Sequence, residues 1–234
     1  MLLKRLVHAI GGVYLQELQV QEKPAPRLNE RPIEYEFVFR AVAEYCPKTM
    51  MDVGTGQSAL PALVQTCGVH VFAIDHHTDY WKVRPRNIHF NVVPDDIRRP
   101  RTNGHYDMIT CVSVLEHIKE DEQAVCSMVS KLNPGGHLIL TFPYSERLSH
   151  SNVYTIAGSY GANVKSYVTR QYCRADLDLW MRLAGAEIVE QEYWRLFDSE
   201  YWSVGNLVRP AQRVGANDRH QLTCLLIRQA QAQL

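Results

Sequence analysis

The chain has 234 residues, 46% hydrophobic and 21% charged, and its 25 Lys and Arg balance 25 Asp and Glu. That length and apolar content suit one large domain with a sizeable core and argue against disorder along the whole chain. A net charge of zero removes the default case for a basic surface that grips phosphates, so nucleic acid is not an expected partner.

The opening segment, Met1 to Gly12, has the apolar start of a signal peptide. Lys4, Arg5, His8 and a glycine pair interrupt it, so an amphipathic arm is the expectation. Residues 21 to 32 are polar with three prolines and read as a linker, which makes 1–31 an arm and linker ahead of the core. No stretch reaches the roughly 18 apolar residues of a membrane helix, so a membrane is not an expected partner. The six cysteines stand singly with no C-x-x-C pair, which suggests a reduced, cytoplasmic setting without a structural metal.

After Pro32, the residues Ile33, Phe37, Val38, Ala41, Val42 and Tyr45 recur at helical spacing. From Thr49 short apolar runs alternate with helical stretches. Strands are expected at Met50–Val53, Val69–Asp75, Ile88–Val93, Tyr106–Val112, His137–Phe142, Ala186–Tyr193 and Leu222–Ile227. Helices are expected at Ala59–Cys67, Glu120–Leu132 and Arg174–Ala184. Near-continuous apolar strands between helices imply an α/β, doubly wound sheet buried on both faces.

Asp52-Val53-Gly54-Thr55-Gly56-Gln57-Ser58-Ala59 joins the first strand to the first helix. Glycines there permit a tight turn and close approach of a ligand to a helix N-terminus. Gly54, Gly56 and Ala59 fit the dinucleotide pattern G-x-G-x-x-G/A, with Asp75 placed for ribose hydroxyls. The same residues also fit D-x-G-x-G, and the glycines alone leave both readings open.

Downstream residues separate them. Asp95-Asp96-Ile97 sets acid then apolar after the third strand; Tyr106-Asp107 leads an apolar run into Leu115-Glu116-His117; Leu132-Asn133-Pro134-Gly135-Gly136 precedes the fifth strand. With D-x-G-x-G these four motifs, over residues 33 to 193, resemble class I S-adenosylmethionine-dependent methyltransferases. The resemblance implies a Rossmann-like, mostly parallel, seven-stranded sheet with an antiparallel last strand, over one domain spanning residues 1–234. It implies S-adenosyl-L-methionine as cofactor, held by Asp52, Gly54, Thr55, Gly56, Gln57, Asp75, His76, Asp96, Ile97 and Ser113. Asp96 and Ile97 would take the adenine, Asp96 being preferred over Asp95 by its spacing to Ile97. Two departures stand out: Thr55 replaces the common Cys, and Ser58 replaces the third glycine, where it could crowd the methionine carboxylate.

His117, after the fourth strand, is the candidate base, while Glu116 is better suited to anchoring its loop. His76, His77 and Asp79 are too closely packed along the chain to converge easily on a metal. Residues 143–172 and 194–220 read as substrate-side insertions. Tyr144, His150 and Tyr172 are candidates to meet a polar small molecule such as a sugar or secondary metabolite, and the second insertion can instead serve a homodimer contact. Phe142-Pro143-Tyr144 follows the fifth strand, not the fourth, unlike the N/D-P-P-Y/F loop of amino-directed nucleic-acid methyltransferases. Methyl transfer to an O or N atom of a small molecule is therefore the expected activity. A nicotinamide-dependent oxidoreductase and a non-catalytic binding domain of the same fold are the alternatives.

Overall fold

The computed structural model describes residues 29–76, 87, 89–161 and 168–230, and residues Ile33–Leu234 form one compact unit. Most of the 1–31 arm, His77, Asp79 and the expected start of the third strand at Ile88 lie outside the described residues.

Helix α1 spans Arg31–Tyr45, with the Asn29 side chain accepting from the Arg31 N–H at its start. Then follow β1 (Thr49–Val53), α2 (Leu60–Thr66), β2 (His70–Asp75), β3 (Val92–Pro94) and β4 (Tyr106–Val112). A 3₁₀ turn at Leu115–His117 leads to α3 (Asp121–Ser130), β5 (Leu132–Pro143), α4 (Arg174–Ala184), β6 (Ala186–Phe197), β7 (Leu207–Val214) and β8 (Leu222–Gln229). Pro61 in the first turn of α2 costs nothing there, because that N–H has no helical partner. Gly185 ends α4 with φ 60°, the left-handed conformation that glycine adopts without steric cost.

The sheet order is β3-β2-β1-β4-β5-β8-β6-β7, and β1 to β5 are parallel neighbours. The last strand, β8, runs antiparallel to β5, as expected. All seven expected strands form. An eighth, β7, pairs antiparallel with β6 inside the segment read as the second insertion. None of its residues is buried, and the exposed ones include Arg209, Pro210 and Arg213, as suits an edge strand but hides it from apolar patterning.

Side chains alternate between two cores. Met51, Ile109, Leu138, Leu140, Leu225 and Ile227 face α3 and α4. Met50, Met108, Ile139, Cys224 and Leu226 share the other core with Phe37, Val38 and Ala41 of α1 and with Leu60 and Val64 of α2.

Two of the motifs hold the sheet together at the edge away from the strands' carboxyl ends. Asp107 accepts from the Lys48 and Thr49 N–H groups, the Thr49 hydroxyl and the Asn133 side chain. The Asn133 hydrogen bond, with the Thr49 and Lys48 contacts, holds its carboxyl below the ordinary value against the opposing effect of burial. The Leu132 to Gly136 segment belongs to β5 itself. Register against β4 jumps from Tyr106↔Leu132 to Met108↔His137, so the expected turn is an extended bulge. A Cβ at Gly136 would lie 3.0 Å from the Tyr106 and Asp107 carbonyls, which explains its need for glycine.

Candidate active site

Open α/β sheets bind ligands beyond the carboxyl ends of their strands, at the switch in strand order, here between β1 and β4. The β1–α2 turn sits there. Gly54 has φ +72° and Gly56 φ +53°, so both adopt the left-handed conformation. A Cβ at Gly54 would strike Val114 Cγ1 at 2.4 Å, so this glycine lets the segment after β4 close over the turn. Among the described residues, a Cβ at Gly56 would meet Asp75 Oδ2 at 3.9 Å and the Gly54 carbonyl at 4.0 Å, both at ordinary van der Waals distance.

Asp75 ends β2 and accepts the Gly56 N–H at 2.6 Å. Asn87 spans the turn from outside, donating to the Gly56 carbonyl at 3.1 Å and the Ser58 carbonyl at 2.9 Å. Asp52 is 3% exposed, and its two oxygens accept from the Thr55 hydroxyl at 2.7 Å and the Thr110 hydroxyl at 2.6 Å. It shapes the turn and ties it to β4. Thr55 therefore adds a hydrogen bond that the common Cys would make only weakly. Ser58 accepts from the Leu60 N–H at 3.1 Å and shares a 2.7 Å hydrogen bond with the Tyr35 hydroxyl, so its hydroxyl is engaged within the chain. Gln57 and His76 are exposed at the same edge.

After β3 the two aspartates divide their work. Asp95 is buried and accepts from the Asp96, Arg101 and Thr102 N–H groups, closing its own loop. Asp96 stands half-exposed, with Arg98 Nε 3.0 Å from Oδ1 and Nη2 2.7 Å from Oδ2. Those hydrogen bonds lower the Asp96 carboxyl from its usual value, so it is an anion at neutral pH. Ile97 beside it is 4% exposed and belongs to the main core, offering at most an edge to a ring.

Ser113 follows β4 with φ +50°, an uncommon conformation for a side-chain-bearing residue. Its N–H donates to the Thr141 carbonyl at 2.9 Å and to the Thr141 hydroxyl at 3.1 Å. Its own hydroxyl donates to Glu34 Oε1 at 2.5 Å, which also accepts from the Thr141 hydroxyl at 2.6 Å. Glu34 was not foreseen. Residues 34, 37, 38 and 41 make one apolar-spaced stripe of α1, and a carboxylate on such a stripe was the signal available.

On the acceptor side the structure corrects two expectations. Tyr144 and Tyr172 are 0% and 3% exposed, packed with Phe142 and Trp180. The Tyr144 hydroxyl donates to Glu146 at 2.8 Å and the Tyr172 hydroxyl to the Leu115 carbonyl at 2.9 Å. Large aromatic area favours burial once each hydroxyl has a partner, so these rings are core and not pocket lining. His150 is half-buried, its backbone paired with Gln171 and its ring edge-on to Tyr201. His117 Nδ1 lies 2.7 Å from the Val168 carbonyl, to which it donates, and Nε2 lies 3.8 Å from Glu116 Oε1. The Nδ1 hydrogen bond ties His117 to the first insertion and leaves the Nε2 lone pair as its basic site.

The two insertions fold onto each other. Ser159 bridges Val204 and shares a 2.6 Å hydrogen bond with Ser203, while Gln171 accepts the Trp202 N–H at 2.7 Å. Glu146, Arg174 and Tyr193 form a polar cluster at the β5 end, with Arg174 Nε 2.9 Å from Glu146 Oε1 and Nη2 3.1 Å from the Tyr193 hydroxyl. Among the described residues, no group of three or more His, Cys, Asp and Glu is arranged to hold a metal, and no helix is long and apolar enough to cross a membrane.

A family model described as a methyltransferase domain matches residues 26–191. The chain is 25% identical over 179 residues to the ubiquinone biosynthesis O-methyltransferase of Burkholderia thailandensis, covering 72% of this chain and 75% of that protein. It is 27% identical over 191 residues to the protein of the same name from Xanthomonas axonopodis pv. citri, covering 74% and 78%. Among solved structures, the CcbJ methyltransferase of Streptomyces caelestis superposes with TM-score 0.57 at 15% identity over 90% of this chain and 94% of that one. An S-adenosylmethionine-dependent methyltransferase of Clostridium acetobutylicum gives 0.54 at 12% identity over 97% and 100%.

Proposed function

The chain belongs to the methyltransferase-domain family, and on that premise we propose that it moves a methyl group from S-adenosyl-L-methionine to a hydroxyl oxygen of a small organic molecule. The class and the cofactor come with the family; the hydroxyl is our choice between O and N, supported by relatives named as O-methyltransferases of ubiquinone biosynthesis.

One observation carries the reading. Along a single edge of the sheet stand, in spatial order, Asp96 and Ile97 after β3, Asp75 at β2, Gly54 and Gly56 after β1, and Ser113 after β4. An adenosine-bearing ligand laid along that edge would meet an adenine acceptor, a ribose acceptor and a glycine turn in that order. Asp75 already spends Oδ2 on Gly56, which fixes its rotamer and supports its use of Oδ1 toward a ribose hydroxyl.

When bound, the cofactor supplies an electrophilic methyl group on a positively charged sulfur. The protein's task is then to hold an acceptor oxygen in line with it and to take that oxygen's proton. Asp52, Thr55 and Thr110 act on the shape of the glycine turn. The paired insertions, with His150 among them, would set which acceptor fits.

Transfer of labelled methyl from the cofactor to catechol, to a sugar and to a primary amine tests the reading. Labelled catechol ether is the expected product. Label on the amine alone would overturn the hydroxyl assignment while leaving the cofactor assignment intact.

A further inference from the structure

We propose that Ser113 and Glu34 form the proton-accepting pair of the transfer, with Ser113 Oγ meeting the acceptor hydroxyl and Glu34 receiving the proton through it. This rests on the hydroxyl reading above and gives that reading a base that is built into the end of the sheet.

Position comes first. If adenine lies at β3, ribose at β2 and the glycine turn at β1, the remaining methionine end of the cofactor continues toward β4 and β5. Val112 of β4 pairs with Thr141 of β5 near the ends of those strands, and Ser113 follows immediately. Glu34 lies over both, 0% exposed, its Oε1 2.5 Å from Ser113 Oγ and 2.6 Å from Thr141 Oγ1.

The hydrogen-bond directions come next. Glu34 Oε1 accepts from both the Ser113 and the Thr141 hydroxyls, so both hydroxyl hydrogens point at it. The Thr141 oxygen then accepts the Ser113 N–H at 3.1 Å. The Ser113 oxygen has lone pairs to offer, and the residue is half-buried, whereas Glu34 is sealed. An acceptor O–H arriving at the methyl end would thus find an oriented lone pair whose own proton is already directed at a carboxylate. Backbone strain at Ser113, φ +50°, is held by the same two neighbours and fixes that aim.

The step balances. The acceptor oxygen forms its bond to the methyl carbon, and the carbon–sulfur bond breaks with its electron pair staying on sulfur. The acceptor proton passes to Ser113 Oγ as the Ser113 proton passes to Glu34 Oε1. A positive sulfur and a negative carboxylate become a neutral thioether and a neutral acid. The proton returns outward through Ser113 after the product leaves.

The test compares wild type, Glu34→Gln and Ser113→Gly on catechol and on 4-nitrocatechol, at a pH above the first ionisation of 4-nitrocatechol and below that of catechol, so that the nitrocatechol arrives as an anion and needs no base. Glycine suits the left-handed backbone at position 113, so that variant loses the hydroxyl without added strain. On catechol both variants should lose about 10²- to 10³-fold in kcat, the range of general-base contributions. On 4-nitrocatechol the loss should stay within about fivefold, while the calorimetric affinity of Glu34→Gln for S-adenosylhomocysteine stays within about threefold, as expected where no contact to the cofactor is removed. Calorimetry of catechol binding to the S-adenosylhomocysteine complex gives a readout without turnover: Ser113→Gly should weaken it about fivefold, and Glu34→Gln, which keeps an oxygen for Ser113, should not. Equal losses on the two catechols, unchanged kcat on catechol, or collapse of S-adenosylhomocysteine binding in both variants would overturn the pair. A wild type that labels the amine and neither the catechols nor the sugar would instead overturn the hydroxyl reading, and the pair with it.

Discussion

Replacing Gly54 with alanine isolates what the glycine turn contributes. The residue has φ +72°, and its new Cβ would lie 2.4 and 2.5 Å from the two γ-methyls of Val114. The left-handed backbone costs a side-chain-bearing residue about 1–2 kcal/mol. Forcing Val114 aside adds about 1–3 kcal/mol of overpacking, for a total of about 2–5 kcal/mol. At about 2–4 °C per kcal/mol for a chain of this size, the melting temperature should fall by about 4–20 °C. Gly68 supplies the control, with φ +88° and nothing within 4 Å of its Cβ. Gly68→Ala should show the backbone cost alone, about 2–8 °C. The double variant Gly54→Ala/Val114→Ala removes the clash and should show favourable coupling of about 1–3 kcal/mol between the two sites. Thermal unfolding of these four proteins and of Val114→Ala, the single variant that completes the cycle, checks this, with S-adenosylhomocysteine calorimetry alongside. Gly54→Ala melting within 2 °C of Gly68→Ala, with no coupling to Val114, would refute the claim that Val114 is seated on the glycine.

Other consequences separate structure from site. Asp107→Ala removes four internal hydrogen bonds at the far edge of the sheet, so it should destabilise by about 2–4 kcal/mol in denaturant titration yet leave cofactor affinity unchanged. Because the Asp107 carboxyl is lowered by Asn133, Thr49 and Lys48 in the fold, its contribution is complete above the unfolded value near 4 and is lost as pH falls through the folded one. Asp107→Asn should therefore flatten the acid limb of the stability curve. His220 has the opposite charge type: burial between Tyr144 and Tyr193, opposed by the Asp218 carbonyl, Glu146, Asp218 and Glu200, lowers its pKa. The fold then holds it neutral, and wild-type stability should decline as pH drops below about 6.5 while His220→Phe declines less.

The division of labour between motifs was only partly legible in the chain. Alternating apolar runs placed the parallel strands, because strands buried on both faces must be apolar throughout. The edge strand β7 escaped, since Arg209, Pro210 and Arg213 are the residues an exposed edge requires and not those a pattern search rewards. Spacing to Ile97 favoured Asp96 over Asp95, but only the fold distinguishes their surroundings, Asp96 being half-exposed and Asp95 buried. Tyr144 and Tyr172 read as candidates to meet the acceptor, yet each hydroxyl finds an internal partner that lets the ring enter the core. Glu34 was hidden for a different reason. Its partners Ser113 and Thr141 are 79 and 107 residues away, a separation that only the folded sheet closes.

The central claim is that the edge from β3 to β4 takes an adenosine-bearing methyl donor, and calorimetric titration of wild type and Asp75→Ala with S-adenosylhomocysteine and with NAD⁺ tests it most directly. One-to-one binding of S-adenosylhomocysteine to the wild type is expected, weakened about 10- to 100-fold by Asp75→Ala through loss of a charged hydrogen-bond acceptor, with no comparable response to NAD⁺. Tight NAD⁺ binding with none of S-adenosylhomocysteine, or an affinity indifferent to Asp75, would contradict it.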